Sequence, residues 1–206
     1  MKLRSDSFAH GQPIPGTLAF GVPGEPVAWG GNRNPHLAWS GAPEGTRSFA
    51  VICHDPDVPS VGDDVNQVGK WVPYDLPRVD FFHWVLVDLP AGTNEIAEGA
   101  DSQGVTEGGK PPGPSASGGV QGINDYTGWF SGDAALGGDY GGWDGPGPPW
   151  NDTRIHRYVL TVYALDVASL GLSGAFTGGQ ALEAMQGHVL GQAEYMGTYT
   201  IAADAR

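Results

Sequence analysis

The sequence predicts a mainly β protein, and three observations carry that reading. The 206 residues include 34 glycines and 17 prolines, a turn-forming content that leaves little chain for long helices. Three apolar runs, at 48–54, 81–88 and 156–165, are rich in the Val, Leu, Phe, Tyr and Thr that suit a pleated surface. Proline, glycine or aspartate stands at the ends of these runs. A chain of this length reads as one domain over 1–206, large enough to bury about 70% of its unfolded surface.

Residues 1–16 form a polar, turn-rich N-terminal segment. Residues 17–20 predict an opening edge strand, closed by the turn Gly21-Val-Pro-Gly24. In 34–39, Leu37 and Trp39 alternate onto one face. The run 48–54 is apolar on both faces and predicts a central strand. It contains the lone cysteine, Cys53, which reads as a small buried hydrophobe. Two prolines in Asp55-Pro-Asp-Val-Pro59 are expected to end the ladder and leave two carboxylates at the strand tip. A polar loop over 60–80 precedes the second apolar strand. There Phe81, His83, Val85 and Val87 are expected to face one way, and Phe82, Trp84 and Leu86 the other. A histidine among such neighbours is costly unless hydrogen-bonded. Alone, it would read as a core side chain satisfied by a backbone carbonyl.

Residues 92–150 are glycine-rich and lack a regular period. A structureless loop of that length inside a compact domain is uncommon, and its aromatics (Tyr126, Trp129, Phe130, Tyr140, Trp143, Trp150) argue against plain disorder. It reads as an ordered insertion folded back over the core, with 104–119 its most mobile part. Pro146, Pro148 and Pro149 then forbid helix or central strand. The rigid loop delivers His156 and Tyr158 to one face of the third strand, together with Leu160 and Val162. Thr177 and Gln180 have capping-box spacing. Ala181, Leu182, Met185, Val189 and Leu190 follow at helical intervals, predicting one helix over 178–192. Residues 194–201 alternate as a closing strand.

Charge narrows the function. Ten Lys and Arg against 23 Asp and Glu give a net charge of −13. Nucleic acid and anionic membrane surfaces, which need basic patches, are therefore disfavoured as partners. No apolar run approaches the length that spans a bilayer and no h-region follows the N-terminus, so the expected location is cytoplasmic. Three strand ends present polar groups: Asp55 and Asp57, His83, and His156 with Tyr158. A nearby carboxylate favours the charged imidazole while burial disfavours it. If Asp55 prevails, an imidazolium, a second ring N–H and the Tyr158 hydroxyl point donors into one cavity suited to a phosphate or carboxylate group.

The set Asn34-Pro-His-Leu-Ala-Trp39, Asp55-Pro-Asp-Val-Pro59, Phe82-His-Trp84, Gly147-Pro-Pro149 and His156-Arg-Tyr158 resembles the phosphatidylethanolamine-binding protein family. The Gly122-Ile-Asn-Asp-Tyr-Thr-Gly-Trp129 stretch is similar to its bacterial, Raf-kinase-inhibitor-like branch. The resemblance implies a β-sandwich of two antiparallel sheets with a shallow anion pocket. That pocket would be lined by Asp55, His83, His156 and Tyr158 and rimmed by Asp57, Pro59, Gly147, Pro148 and Pro149. Three departures stand out: Asn34 replaces the usual Ser, Val58 replaces Ala at the rim, and 150–155 lacks the usual glycine. Neither Tyr195 nor Tyr199 is assignable as a pocket tyrosine. The expected function is non-enzymatic binding of a small anionic, headgroup-like ligand without a cofactor, with modulation of a protein partner. A homodimer is left open by the resemblance, with the aromatic insertion as its interface. The alternative is a metal-dependent hydrolase using Asp55, Asp57, His83 and His156, since two histidines with a carboxylate can hold zinc. Covalent hydrolysis ranks last, because no Gly-x-Ser-x-Gly elbow occurs.

Overall fold

The computed structural model describes residues 1–205. The first strands are β1 (Lys2–Arg4), β2 (Gly21–Pro23), β3 (Val27–Trp29) and β4 (Leu37–Ser40). Two long strands follow, β5 (Ser48–Pro59) and β6 (Arg78–Pro90). The insertion contains the short β7 (Glu95–Ile96), β8 (Gly113–Pro114) and β9 (Val120–Gln121), then the single-turn helix α1 (Tyr126–Trp129). The chain closes with β10 (His156–Leu165), α2 (Gly178–Ala184) and β11 (Val189–Tyr199).

Six strands form an antiparallel sheet in the order β11-β10-β5-β6-β9-β8; β1-β4-β7 form a second sheet and β2-β3 a hairpin. The main core lies between the two larger sheets. Leu37, Trp39 and Ile96 from one meet Val51, Cys53, Trp84, Leu86, Tyr158, Leu160 and Val162 from the other. On the opposite face of the large sheet, Ala50, Ile52, Val85 and Val87 are covered by Phe176, Ala181 and Met185 from the α2 region. β5 is therefore buried on both faces, as its unbroken apolar run demands. Burial also pushes the Cys53 thiol pKa well up, consistent with an inert core position.

Several local expectations are corrected. Residues 17–20 are a turn rather than a strand, closed by the Leu18 amide donating to the Pro15 carbonyl at 2.9 Å. The N-terminal segment is more than polar turns: it supplies β1 and buries Phe8 and Ile14 in the core. The ladder does not stop at Asp55. β5 continues to Pro59, which pairs with Arg78, across a register shift between Asp55 and Val58. A second shift opposes Cys53 to Trp84 but His54 to Phe82, leaving His83 as the extra residue of a bulge. The bulge reverses the parity expected along β6: Phe82 joins Val85 and Val87 on the α2 side, while Trp84 and Leu86 face the main core.

The capping box is present, with the Gln180 amide donating to Thr177 Oγ1 at 3.3 Å and the Thr177 amide to Gln180 Oε1 at 2.9 Å. The helix is shorter than its apolar spacing implied. Gly187, at φ 81°, turns the chain, and Val189 and Leu190 then begin β11 at the sheet edge. The 104–119 segment is fastened by the β8–β9 pairing and by Lys110, whose Nζ donates to the Trp143 carbonyl at 2.7 Å and Asp144 Oδ1 at 2.8 Å. Tyr126, Tyr140 and Trp143 of the insertion are buried, whereas Trp129 remains 46% exposed. Among the described residues no helix is long and apolar enough to cross a membrane.

Candidate functional site

The His83 bulge of β6, the Asp55–Val58 irregularity of β5, the start of β10 and the Gly145–Pro149 loop meet at one end of the large sheet. They enclose a cavity of about 50 Å³ lined by Asp55, His83, His156 and Tyr158, the four side chains expected there. Pro59, Gly147, Pro148 and Pro149 line it as well. Gly147 is required, because a Cβ there would lie 2.5 Å from the Tyr126 hydroxyl. Val58, Asn66, Phe81, Tyr126 and Trp129 complete the wall. Of these only Val58 was placed at the rim from sequence, although Phe81 was expected on the face of His83 and Tyr126 and Trp129 were expected to pack over the core.

Asp57 is not part of the wall. Its carboxylate turns to Arg157, accepting from Nε at 2.8 Å and Nη2 at 3.0 Å, and to Arg154 Nη1 at 3.2 Å. Burial would raise its pKa, but the hydrogen bonds and charge of Arg157 outweigh it and hold the carboxyl below its usual range. The expected rim carboxylate is thus a brace between β5 and β10.

His156 is held differently from the expectation that it aims a donor into the cavity. Nδ1 lies 2.7 Å from Asp55 Oδ2 and Nε2 3.0 Å from Asp152 Oδ2. Carboxylates only accept, so both ring nitrogens must donate and the ring is an imidazolium. Burial alone would lower its pKa; the charge of Asp55, the hydrogen bonds to Asp152 and Asp55 and the charge of Asp152 together raise it to about 9. Arg78 continues the chain, its Nη1 on Asp152 Oδ2 and its Nη2 on Oδ1 at 3.0 Å. The row Arg78, Asp152, His156, Asp55 alternates in sign and sums to zero. Asp152 and Arg78 are members of this charge row that sequence reasoning missed. Asp152 stands four residues before His156, a spacing that brings side chains together in a helix but carries no such message in an extended segment.

His83 has the opposite character. Its Nδ1 lies 2.8 Å from the Asp144 carbonyl oxygen, which can only accept, so Nδ1 carries the proton. Burial lowers its pKa despite the Asp55 charge, keeping the ring neutral. Tyr158, fully buried, packs edge-on against His83 with ring centroids 5.0 Å apart. Its hydroxyl has no partner in hydrogen-bonding geometry within the protein, and burial, then the charge and a marginal contact of the neighbouring Asp55 carboxylate, pushes its pKa well up, so it stays a donor. Tyr195 and Tyr199 are elsewhere: their hydroxyls donate to the Phe8 carbonyl at 2.6 Å and the Gly21 carbonyl at 3.0 Å.

Two buried hubs fix the walls. Asp144 accepts from Asn32 at 2.7 Å, Lys110 at 2.8 Å and Asn124 at 2.9 Å, tying the insertion to the carbonyl that orients His83. Asn151 binds the 60–73 loop, donating to the Asp64 carbonyl at 2.8 Å and the Lys70 carbonyl at 3.0 Å and accepting from the Asn66 amide at 2.9 Å. The lip that lacks the usual glycine is therefore secured by a side chain. The hydrolase alternative is not assembled: Asp57 points away and both His156 nitrogens are engaged. Among the described residues no group of three His, Cys, Asp or Glu side chains is placed to hold a metal ion.

The sequence model of the phosphatidylethanolamine-binding protein family matches residues 4–200. Over 199 residues the chain is 32% identical to a UPF0098 protein of Aquifex aeolicus, covering 97% of this chain and 88% of that one. It is 34% identical over 184 residues to the UPF0098 protein YbhB of Escherichia coli, covering 86% and 89%. The crystal structure of E. coli YbcL, described as a new member of the mammalian PEBP family, superposes with a TM-score of 0.69 at 25% identity over 97% of both chains. A Chlamydia trachomatis protein described as a putative PEBP homologue gives a TM-score of 0.64 at 28% identity, covering 96% and 95%. The chain belongs to the phosphatidylethanolamine-binding protein family.

Proposed function

We propose that this protein is a non-enzymatic receptor for a small anionic group, a phosphate or headgroup-like moiety, seated between Tyr158, His83 and the proline lip. Occupancy of the pocket would be the state that a protein partner reads. The observation that carries this reading is the Tyr158 hydroxyl, buried, unpaired and on the cavity wall. Buried polar groups are normally satisfied, and one left open beside a cavity suits a ligand acceptor. His156 contributes by holding Asp55 neutralised and in place, so that the site does not repel an anion. The site also lacks an activated nucleophile, since Cys53 is sealed in the core.

The test is an NMR titration of O-phosphoethanolamine into the wild type and Tyr158→Phe at pH 6.5. The reading predicts saturable shifts at His83 and Gly147 in the wild type, and about tenfold weaker binding in the variant, the worth of one hydrogen bond to a charged group. Identical curves for the two proteins would remove Tyr158 from the site.

A further inference from the structure

Between β5 and β6 the chain makes an excursion, from Ser60 to Pro77, that closes on itself: the Ser60 amide donates to the Pro77 carbonyl at 3.0 Å. Of the twelve large apolar side chains that stand out into solvent among the described residues, five lie between Ser60 and Asp80. They are Val61, Val68, Trp71, Tyr74 and Val79. A sixth, Ile155, follows Arg154, whose guanidinium lies over the Tyr74 ring at 4.5 Å. None of the six lines the anion cavity; of the excursion only Asn66 reaches its wall. Apolar side chains scattered singly over a surface need no explanation, but a gathering of this kind marks a contact surface.

The excursion has no helix or strand of its own, yet polar side chains from elsewhere grip its backbone. Asn151 donates to the Asp64 and Lys70 carbonyls. Arg78 donates to the Pro73 carbonyl at 2.9 Å and the Leu76 carbonyl at 3.1 Å, and Arg154 to the Tyr74 carbonyl at 2.7 Å. Val72 is buried and anchors the middle. A backbone held in this way loses little further entropy when a partner docks, and Trp, Tyr and Arg are the side chains that dominate such contacts.

Charge selects the partner. Lys70 is taken by Asp64 at 3.4 Å, Arg78 by Asp152, and Arg154 and Arg157 by Asp57. Asp63, Asp75 and Asp80 are left exposed and, among the described residues, in no ion pair. A second copy of this chain would set these carboxylates against their own counterparts in a two-fold contact, which costs affinity. An anionic membrane is repelled for the same reason. Arginine answers both features, since it pairs with carboxylates and stacks on the faces of Trp and Tyr. The chain already makes that arrangement once, in Arg154 over Tyr74 with Asp57 as its carboxylate at 3.2 Å.

We propose that the face built by residues 61–79 is a docking surface for an arginine-rich segment of another protein, read by Trp71 and the three unpaired carboxylates. It lies outside the anion cavity and acts whatever fills it.

The experiment is fluorescence anisotropy of fluorescein-labelled hexa-arginine and hexalysine peptides titrated with the full chain. It is run in about 150 mM salt, where screening shortens to about 8 Å. The wild type should bind hexa-arginine saturably and about fivefold more tightly than hexalysine. Trp71→Ala should weaken hexa-arginine by about fivefold, the worth of one exposed cation–π contact. Asp63, Asp75 and Asp80 replaced together by Asn should weaken it by about tenfold, the sum of three exposed ion pairs. A control triple, Glu44→Gln, Glu107→Gln and Glu183→Gln, removes the same charge from exposed positions elsewhere and should cost no more than about twofold. Trp71→Ala should titrate with O-phosphoethanolamine as the wild type does, which separates failure here from failure of the anion receptor. Equal affinity of wild type and Trp71→Ala for hexa-arginine, an equal loss from the control triple, or binding to neither peptide would overturn the proposal. So would Trp71-dependent dimerisation in size-exclusion chromatography, or Trp71-dependent flotation with phosphatidylcholine vesicles, since either gives this face a different occupant.

Discussion

Tyr158 and His156 sit two residues apart on one strand face, yet they are prepared in opposite ways. The tyrosine is left with an unpaired hydroxyl, whereas the histidine is saturated by two carboxylates. Tyr158→Phe should therefore leave stability unchanged or raise it by about 1 kcal/mol, since an unsatisfied buried donor is removed; urea unfolding measures this. His156→Gln should cost about 3–5 kcal/mol, because Asp55 and Asp152 would lose the cation between them. The same residue dictates a pH dependence. Its folded pKa of about 9 lies above the unfolded value, so its stabilisation is complete below about pH 6.5 and is lost as pH rises through 9. The shift corresponds to about 3 kcal/mol over that window. The lowered pKa of His83 acts with the opposite sign, costing stability below about pH 6.5. Unfolding in urea at pH 6.5 and 9.5 should show the loss in the wild type and not in His156→Gln. At this scale the sequence was partly legible. The convergence of His83, His156, Tyr158 and Asp55 could be read from strand ends and family motifs. The double clamp on His156 could not, because Asp152 and Arg78 reach it through irregular backbone.

Among the elements, β6 depends most on something the alternation of its residues conceals. One extra residue at His83 turns that side chain into the cavity and reverses the faces of its neighbours. Bulges of this kind re-aim side chains next to sites, and they are set by pairing with β5, not by local sequence. The helix α2 was legible at its start and not at its end. Thr177 and Gln180 announce the cap, but the demand of the sheet edge for a strand at 189 overrides the helical spacing of Val189 and Leu190. Two substitutions separate cap from packing. Thr177→Ala should cost about 1 kcal/mol through the lost cap. Gly178→Ala should cost about 1–3 kcal/mol by overpacking, because its Cβ would fall 2.4 Å from Phe82 Cγ. Thermal unfolding of the two variants distinguishes the mechanisms: filling the cap with Ser at 177 restores the first and leaves the second.

For the whole molecule, the acidic excess is compatible with the proposed anion site because the charges beside that pocket cancel. Its four-member charge row cancels, while the net charge of −13 belongs to the chain as a whole. An anionic ligand approaching this protein is repelled at long range. Its association rate should therefore rise as salt increases from 20 to about 150 mM, where screening shortens to about 8 Å. Stopped-flow measurement would show the reverse trend if the surface around the mouth were attractive. The β-rich class and the strand sequence were legible from composition and runs of apolar residues. The packing of the 92–150 insertion against the core was legible only as an expectation from its aromatics. How it is fastened, through Asp144, Lys110, Asn32 and Asn124, follows from contacts far apart in the chain that no local pattern announces.

The account depends on a pocket in which His156 is a fixed imidazolium and His83 a neutral ring that meets the ligand. Long-range nitrogen–proton NMR correlation on the imidazole side chains, from pH 5.5 to 8.5 with and without O-phosphoethanolamine, tests both at once. The predicted result is a His156 ring protonated on both nitrogens up to about pH 8, beginning to titrate only above it, and unmoved by ligand, with His83 protonated at Nδ1 alone until ligand shifts Nε2. A His156 ring that titrates near pH 6.5, or a His83 Nε2 indifferent to saturating ligand, would contradict it.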